Sequence, residues 1–348
     1  MILMSGIFVK VGAILLTIFL ALFILIYLLV KKMHNMAFNH RYDKTMFHFF
    51  THRDFKGLNV EPFEFESNNQ NILRGNIYSY ERENYIGVAI VSHGLGCGHL
   101  QYTYEIEHLA SLGFKVVAYD NTGCAASDGD AVNGLPQGII DLKNCLDYIR
   151  KNTDMKNYKK CLFGHSWGGY SVINVLPFVK EKDNIQCAVT MGAPFSSTDV
   201  FVESLSSYSK VFKLTRGFVA KIEKELFGDI SKMNTIASLS NVDVDILLVH
   251  GTKDHIVNYE SNFKFVMDNL QKENINYLTV DNKRHRPNIS DNATEYDELV
   301  EQEISKLKKD KVSEETLKEY YDNINYLKLV EFDENVMNSI DEFILKHF

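Results

Sequence analysis

Cysteine and proline are scarce, at five each in 348 residues, and glycine stands at 20. Cys97, Cys124, Cys145, Cys161 and Cys187 form no CxxC pair. They frame neither a disulfide scaffold nor a zinc site, and read as small buried residues of a reducing compartment. So little glycine and proline excludes collagen-like and low-complexity chains. A basic domain is also missing. Residues 1–290 carry a net charge of +1 and residues 291–348 a net charge of −9, so the footprint of a nucleic-acid binder is absent. The acidic end reads as a solvated helical face. Apolar residues, in contrast, are plentiful. They make up 45% of the chain, with 23 Phe and 18 Tyr, enough to offset chain entropy and exclude disorder as the main state.

Residues 11–30 are VGAILLTIFLALFILIYLLV, twenty residues without a charge. As a helix they cover roughly 30 Å, the thickness of a bilayer's hydrocarbon. The run is too long for a signal peptide and ends in Lys31-Lys32 with no small-residue cleavage site, so it reads as an uncleaved single-pass anchor within residues 1–32. Its rival is a secreted enzyme released by cleavage. Lys31, Lys32, Arg41 and Lys44 follow the run and only Lys10 precedes it, which assigns the catalytic part to the cytoplasmic side of the cell membrane. Residues 33–58 mix His34, His40, His48 and His52 with Phe38, Phe47, Phe49, Phe50 and Phe55. Their spacing fits no metal site, and they read as an aromatic linker lying on the headgroups.

From residue 59 onward strands and helices alternate. Strands are expected at 60–66, 72–80, 86–92, 115–119, 160–163, 186–191, 244–250 and 276–280, with Asn68–Asn71 as a turn between the first two. Helices are expected at 99–112, 136–151, 167–178, 260–271 and 334–346. The order implies βαβ crossovers and an α/β fold: a mostly parallel central sheet with helices on both faces. Residues 59–290 form the core and 291–348 are acidic helices that complete it.

Gly164-His165-Ser166-Trp167-Gly168 falls between an expected strand and an expected helix. GxSxG in that setting places a serine nucleophile on a sharp, strained turn, flanked by glycines where side chains would collide with backbone. Acyl transfer from serine also needs a base, an acid that orients it and an oxyanion hole. Asp254 follows the apolar strand 244–250, at the edge where ligand-facing loops gather. Asp243 and Asp245 precede that strand and face the other edge. His285 follows the next strand. His255 stands too close to the acid in sequence, and His250 reads as a buried strand residue. The loop Ser92-His93-Gly94-Leu95-Gly96 supplies one oxyanion N–H from Leu95, with the other from Trp167. Gly94 and His165 are expected to border the substrate. Neither GxGxxG nor GxxxxGK[ST] occurs, so a phosphate loop is excluded.

These motifs resemble the α/β hydrolases of the group that includes monoacylglycerol lipases, serine aminopeptidases and bacterial esterases. Asp120-Asn121-Thr122-Gly123-Cys124-Ala125-Ala126-Ser127 is similar to that family's D-x-x-G-x-G-x-S turn, with Ala125 in place of a glycine. The resemblance covers residues 60–348 and implies an α/β-hydrolase fold, a Ser166–Asp254–His285 triad, no cofactor and no metal. It also implies a helical cap at about 195–242. Within that cap, Tyr208–Phe227 carries the stripe Val211, Leu214, Phe218, Ile222 and Leu226, with Phe212 and Val219 beside it, at helical spacing. Its other face holds Lys210, Lys213, Arg216, Lys221 and Lys224. The stripe is expected to pack over the active site, or to lean on an anionic membrane and admit lipid-like esters. The function expected is a membrane-anchored hydrolase of a small or lipid-like ester or thioester. A serine peptidase and a non-catalytic binding module are the alternatives.

Overall fold

A computed structural model describes residues 2–43, 48–96 and 98–348. Lys44, Phe47 and Cys97 lie outside the described residues. The strands are β1 (Leu58–Glu66), β2 (Ile72–Tyr80), β3 (Gly87–Ser92), β4 (Phe114–Tyr119), β5 (Lys160–His165), β6 (Ile185–Met191), β7 (Asp245–Gly251) and β8 (Ile275–Val280). The helices are α1 (Ile2–Phe38), α2 (Thr103–Leu112), α3 (Pro136–Asn152), α4 (Trp167–Val175), α5 (Ser197–Ser206), α6 (Arg216–Phe227), α7 (Thr235–Leu239), α8 (Phe265–Asn269), α9 (Asp291–Lys309), α10 (Glu314–Asp322), α11 (Tyr326–Leu329) and α12 (Glu334–Leu345). The eight strands form one sheet in the order β1-β2-β4-β3-β5-β6-β7-β8. β2 runs antiparallel to β1 and β4, and every other pair is parallel.

Strand β3 shows why its sequence is a continuous apolar run. All six residues are buried, and the two-residue period sends Val88 and Ile90 into one layer and Ala89 and Val91 into the other. The first layer takes Ile139 and Leu142 of α3 and Val172 and Ile173 of α4. The second takes Ile106 and Leu109 of α2 and Val336, Ile340 and Ile344 of α12. The acidic C-terminal segment therefore has two parts: α12 closes the sheet, while Val300 and Ile304 of α9 pack with Tyr321 and Leu329 in a small separate core.

Several expected elements differ in detail. Residues 99–102 form a 3-10 turn ahead of α2, and Glu260–Lys264 is a π turn ahead of α8. The Asn68–Asn71 turn contains a 3-10 turn with Asn69 and Gln70 at φ +56° and +61°. Ala125 adopts φ +41°, the left-handed region where the family has glycine.

The segment beyond the anchor departs further. The helix does not stop near residue 32 but continues to Phe38. Val30, His34 and Phe38 are buried, with the rings of His34 and Phe38 against Phe201 of α5. Arg41 then donates to the carbonyls of Ala125, Ser127 and Gly129 at 2.5–3.0 Å. Phe50 and Phe55 pack on Tyr104. These described residues pack on the folded domain rather than forming a detached linker. α1 has the length and composition to cross a membrane, and its residues 10–26 are exposed.

The cap between β6 and β7 also corrects the expected stripe. Lys210–Thr215 is a 3-10 turn and only Arg216–Phe227 is α-helical. The change of pitch breaks the stripe. Val219 and Ile222 are buried, whereas Val211, Leu214 and Leu226 are exposed.

Candidate active site

Strand β5 ends at His165 and α4 begins at Trp167, so Ser166 alone makes the turn, at φ +54° and ψ −118°. Its N–H is held by the Met191 carbonyl at 2.8 Å, and its carbonyl caps Tyr170 N at 2.9 Å. The flanking glycines are sterically required. A Cβ on Gly168 would lie 1.9 Å from the Ser92 oxygen, and one on Gly164 would lie 2.5 Å from the Gly168 oxygen. Close packing at the elbow thus leaves a nucleophile-type serine projecting from a strained residue.

Asp254 sits just past β7 and is buried. Its Oδ1 accepts the N–H groups of Ile256 and Val257, both at 2.9 Å. Its Oδ2 accepts His285 Nδ1–H at 2.8 Å, leaving Nε2 of that ring as the free base. Burial pushes the Asp254 carboxyl up, but the hydrogen bonds and charge of His250 and His285 outweigh it. They hold the group well below the usual carboxylate range. His285 and Ser166 line one cavity of about 640 Å³. Ser166 makes no side-chain hydrogen bond among the described residues; catalytic hydrogen bonds often tighten only with substrate.

Gly94 and Leu95 line the same cavity. A Cβ on Gly94 would come within 3.4 Å of Ser166 Cβ, so the loop after β3 passes directly over the serine. Trp167 N–H is the first of α4, one of the amides without an acceptor inside its helix. The Trp167 indole is buried and donates to the Leu135 carbonyl at 2.7 Å. His165 does more than border the cavity. Its Nε2–H donates to the His285 carbonyl at 2.8 Å, so Nδ1 is the acceptor for the Tyr102 hydroxyl at 2.8 Å. The Tyr102 oxygen in turn accepts Gly94 N–H at 3.0 Å. Burial, then the neighbouring His285, push the His165 imidazolium well down, which fixes the neutral ring this chain requires.

Sequence reasoning missed three supports. His250, read as a buried strand residue, is buried but also bonds Asp254 Oδ2 at 3.1 Å and the Val257 carbonyl at 2.9 Å. Its position four residues before Asp254 was the available signal. Tyr102 had no signal of its own. Glu105 of α2, buried, accepts Arg286 at 3.1 Å and Asn288 at 3.0 Å, clamping the loop that carries His285. The cavity walls are likewise unexpected. The cap contributes α5, through Val200, Phe201 and Ser204, and not the α6 stripe. Met36, Ala37 and Phe38 from the end of α1 form another wall. Asp297 and Glu301 of α9 line the cavity too, as do Arg284 and Arg286. No group of three or more metal-ligating side chains occurs among the described residues.

Residues 84–231 match the family model described as serine aminopeptidase, S33. The YfhR protein of Salmonella typhi is 25% identical over 183 residues, 52% of this chain and 59% of that protein. The YfhR protein of Escherichia coli is 23% identical over 210 residues, 60% of this chain and 66% of that one. The match therefore spans under two thirds of those relatives. Among solved structures, an esterase of Pyrococcus furiosus superposes with a TM-score of 0.56 at 20% identity, covering 78% of this chain and 98% of that one. Acetyl xylan esterase 1 of Thermoanaerobacterium superposes with a TM-score of 0.51 at 16% identity, over 66% and 79%. At these identities the likeness is one of fold, and that fold is the α/β-hydrolase fold.

Proposed function

We propose that this chain of α/β-hydrolase fold is a membrane-anchored serine hydrolase that cleaves a carboxylic ester or thioester through an acyl-enzyme. One observation carries the reading. A strained serine shares a cavity with a histidine whose other nitrogen is locked by a buried, ionised aspartate.

Ser166 Oγ attacks the acyl carbonyl carbon as His285 Nε2 takes its proton. The carbonyl π pair moves to oxygen, and the N–H groups of Leu95 and Trp167 receive that oxyanion. Collapse restores the carbonyl and breaks the bond to the leaving group, which departs with the proton from His285. Water repeats the sequence on the acyl-enzyme and regenerates Ser166. Asp254 keeps Nε2 facing the serine and stabilises the imidazolium. Each step uses side chains and amides of this chain.

α1 serves as an uncleaved anchor in this reading, with the domain on the cytoplasmic side by the charges at Lys31, Lys32 and Arg41. Support for an uncleaved helix comes from its last turns, which wall the cavity. A second reading, a serine peptidase, draws on the family description and on Asp297 and Glu301, which suit a substrate's amino terminus.

The test is a fluorophosphonate probe on the full-length protein in detergent, read by intact mass beside Ser166→Ala. A one-to-one adduct that disappears in the variant is expected, followed by turnover on an ester, thioester or aminoacyl panel that separates the two readings. A folded protein that takes no adduct would make this a non-catalytic module.

A further inference from the structure

We propose that the groove between α1 and α6 binds an acyl chain of a membrane lipid, and that the adjoining edge of the cap lies in hydrocarbon. The inference rests on α1 lying in a bilayer, as read above.

The cap meets α1 inside the uncharged run. The Phe23 and Phe218 rings pack edge to face with centroids 4.7 Å apart, and Tyr27 lies 5.9 Å from Phe218. Phe23 stands seven residues before Val30, about 10 Å along the helix axis. An element that touches α1 at that level shares its depth. The cap edge there presents Leu214, 83% exposed, and Val211, 60% exposed, while the exposed Lys210 and Lys213 beside them have stems long enough to carry their charge toward the headgroups. In water two projecting aliphatic side chains gain nothing, whereas in hydrocarbon they match their surroundings.

The groove has a volume of about 520 Å³ and is lined by Phe23, Ile24, Tyr27, Leu214, Gly217, Phe218 and Lys221. Its polarity is graded. The Phe23 end is apolar. The Tyr27 end gathers the Lys221 ammonium 5.5 Å above the Tyr27 ring, and the Tyr27 hydroxyl donates to Glu225 at 3.2 Å. A lipid at an interface has the same gradient, with its chain inward and its polar part outward. Gly217 leaves the channel open, since a Cβ there meets nothing within 4 Å. The same helix carries on to Met36, thirteen residues or about 20 Å past Phe23, where it walls the cavity holding Ser166. A chain in the groove is therefore held on the element that leads from the bilayer to that cavity.

The experiment reconstitutes the full-length protein in phosphatidylcholine vesicles doped with phosphatidylcholine bearing a diazirine at one acyl terminus. Adducts formed on irradiation are mapped by mass spectrometry. Labelling is expected across Leu214–Lys221 and Phe23–Tyr27, as well as on the outer face of α1 at Leu15–Phe19. Gly217→Trp should cut the groove adducts roughly tenfold and leave Leu15–Phe19 unchanged, while Gly217→Ala keeps them. An unaltered melting temperature shows that the variants fold. If Leu15–Phe19 label and Leu214 labels no more than exposed Leu327 of the C-terminal segment, the cap edge is in water and the proposal fails with the anchor intact. If Leu15–Phe19 do not label, the anchor reading itself fails and takes the groove with it. Groove adducts indifferent to Gly217→Trp would overturn the acyl site.

Discussion

The ring of His165 donates to the backbone carbonyl of His285 across 2.8 Å, so the residue before the serine holds the backbone of the proposed base. Through Tyr102 the same ring reaches Gly94 of the proposed oxyanion loop. The three loops that must converge for acyl transfer are thus tied by one neutral imidazole and one phenol.

Tyr102→Phe removes that tie without altering shape. Gly94 N–H and His165 Nδ1 are left buried without their partner, at a cost of about 1–3 kcal/mol. We expect a lower melting temperature and a fall in kcat on a nitrophenyl ester, with KM little changed. An unchanged kcat would show that the phenol only fills space.

Asp254→Asn should lower kcat on the order of 10³–10⁴-fold while leaving the fold intact, because an amide no longer enforces the tautomer with Nε2 free. The folded carboxyl lies below its ordinary value of about 3.9. Its contribution to stability is therefore present above pH 4 and lost only as the pH falls through the lower folded value. Melting curves of the two proteins should lie apart at pH 5 and converge in stronger acid. A gap that persists unchanged below pH 2 would contradict the assignment.

Glu223 of α6 is buried against the hydroxyls of Ser197 and Thr198. Burial pushes its carboxyl up to about 6. A raised acid favours the protonated folded state, so stability is highest below the unfolded value near 4.3 and declines as the pH rises to about 6. The decline is on the order of 2 kcal/mol. Glu223→Gln should abolish that part of the pH dependence, which differential scanning at pH 4.5 and 7.5 can read. Parallel losses in both proteins would place the titration elsewhere.

Ala125 and Gly168 make opposite predictions about backbone. Ala125 sits at φ +41°, so Ala125→Gly relieves a strained conformation and should stabilise by about 1 kcal/mol. Gly168→Ala drives a Cβ to 1.9 Å from the Ser92 carbonyl and should abolish soluble expression. A normally folding Gly168→Ala would mean the elbow is looser than drawn.

The core and much of the site were legible because their signals are local. Ser166 stands in a pentapeptide whose setting of strand, turn and helix is written in neighbouring residues, and β3 announces burial on both faces by the unbroken apolar run of residues 88–91. Asp254 and His285 could be placed by their position after strands. Tyr102 and Glu105 could not, because their roles depend on partners up to 183 residues away in sequence, and nothing in a Tyr or a Glu records which loop it will meet. His250 differs, since its partner Asp254 lies only four residues on. The α6 stripe misled for a related reason. Helical spacing showed one apolar face from Val211 onward, but the residues before Arg216 are 3-10, so Val211 and Leu214 are out of register with the α-helical Val219 and Ile222 that face the core.

The end of α1 has a consequence for how this protein can be handled and how it could have diversified. A helix that only tethered a domain could be exchanged for any other of similar length, or cut away to give a faithful soluble version. Here Met36, Ala37 and Phe38 shape the chamber and Arg41 fastens the helix to the domain. Trimming the tether removes a wall, and swapping it changes the chamber. On the proposed reading, location and selectivity share one continuous helix, so a change in either is felt by both.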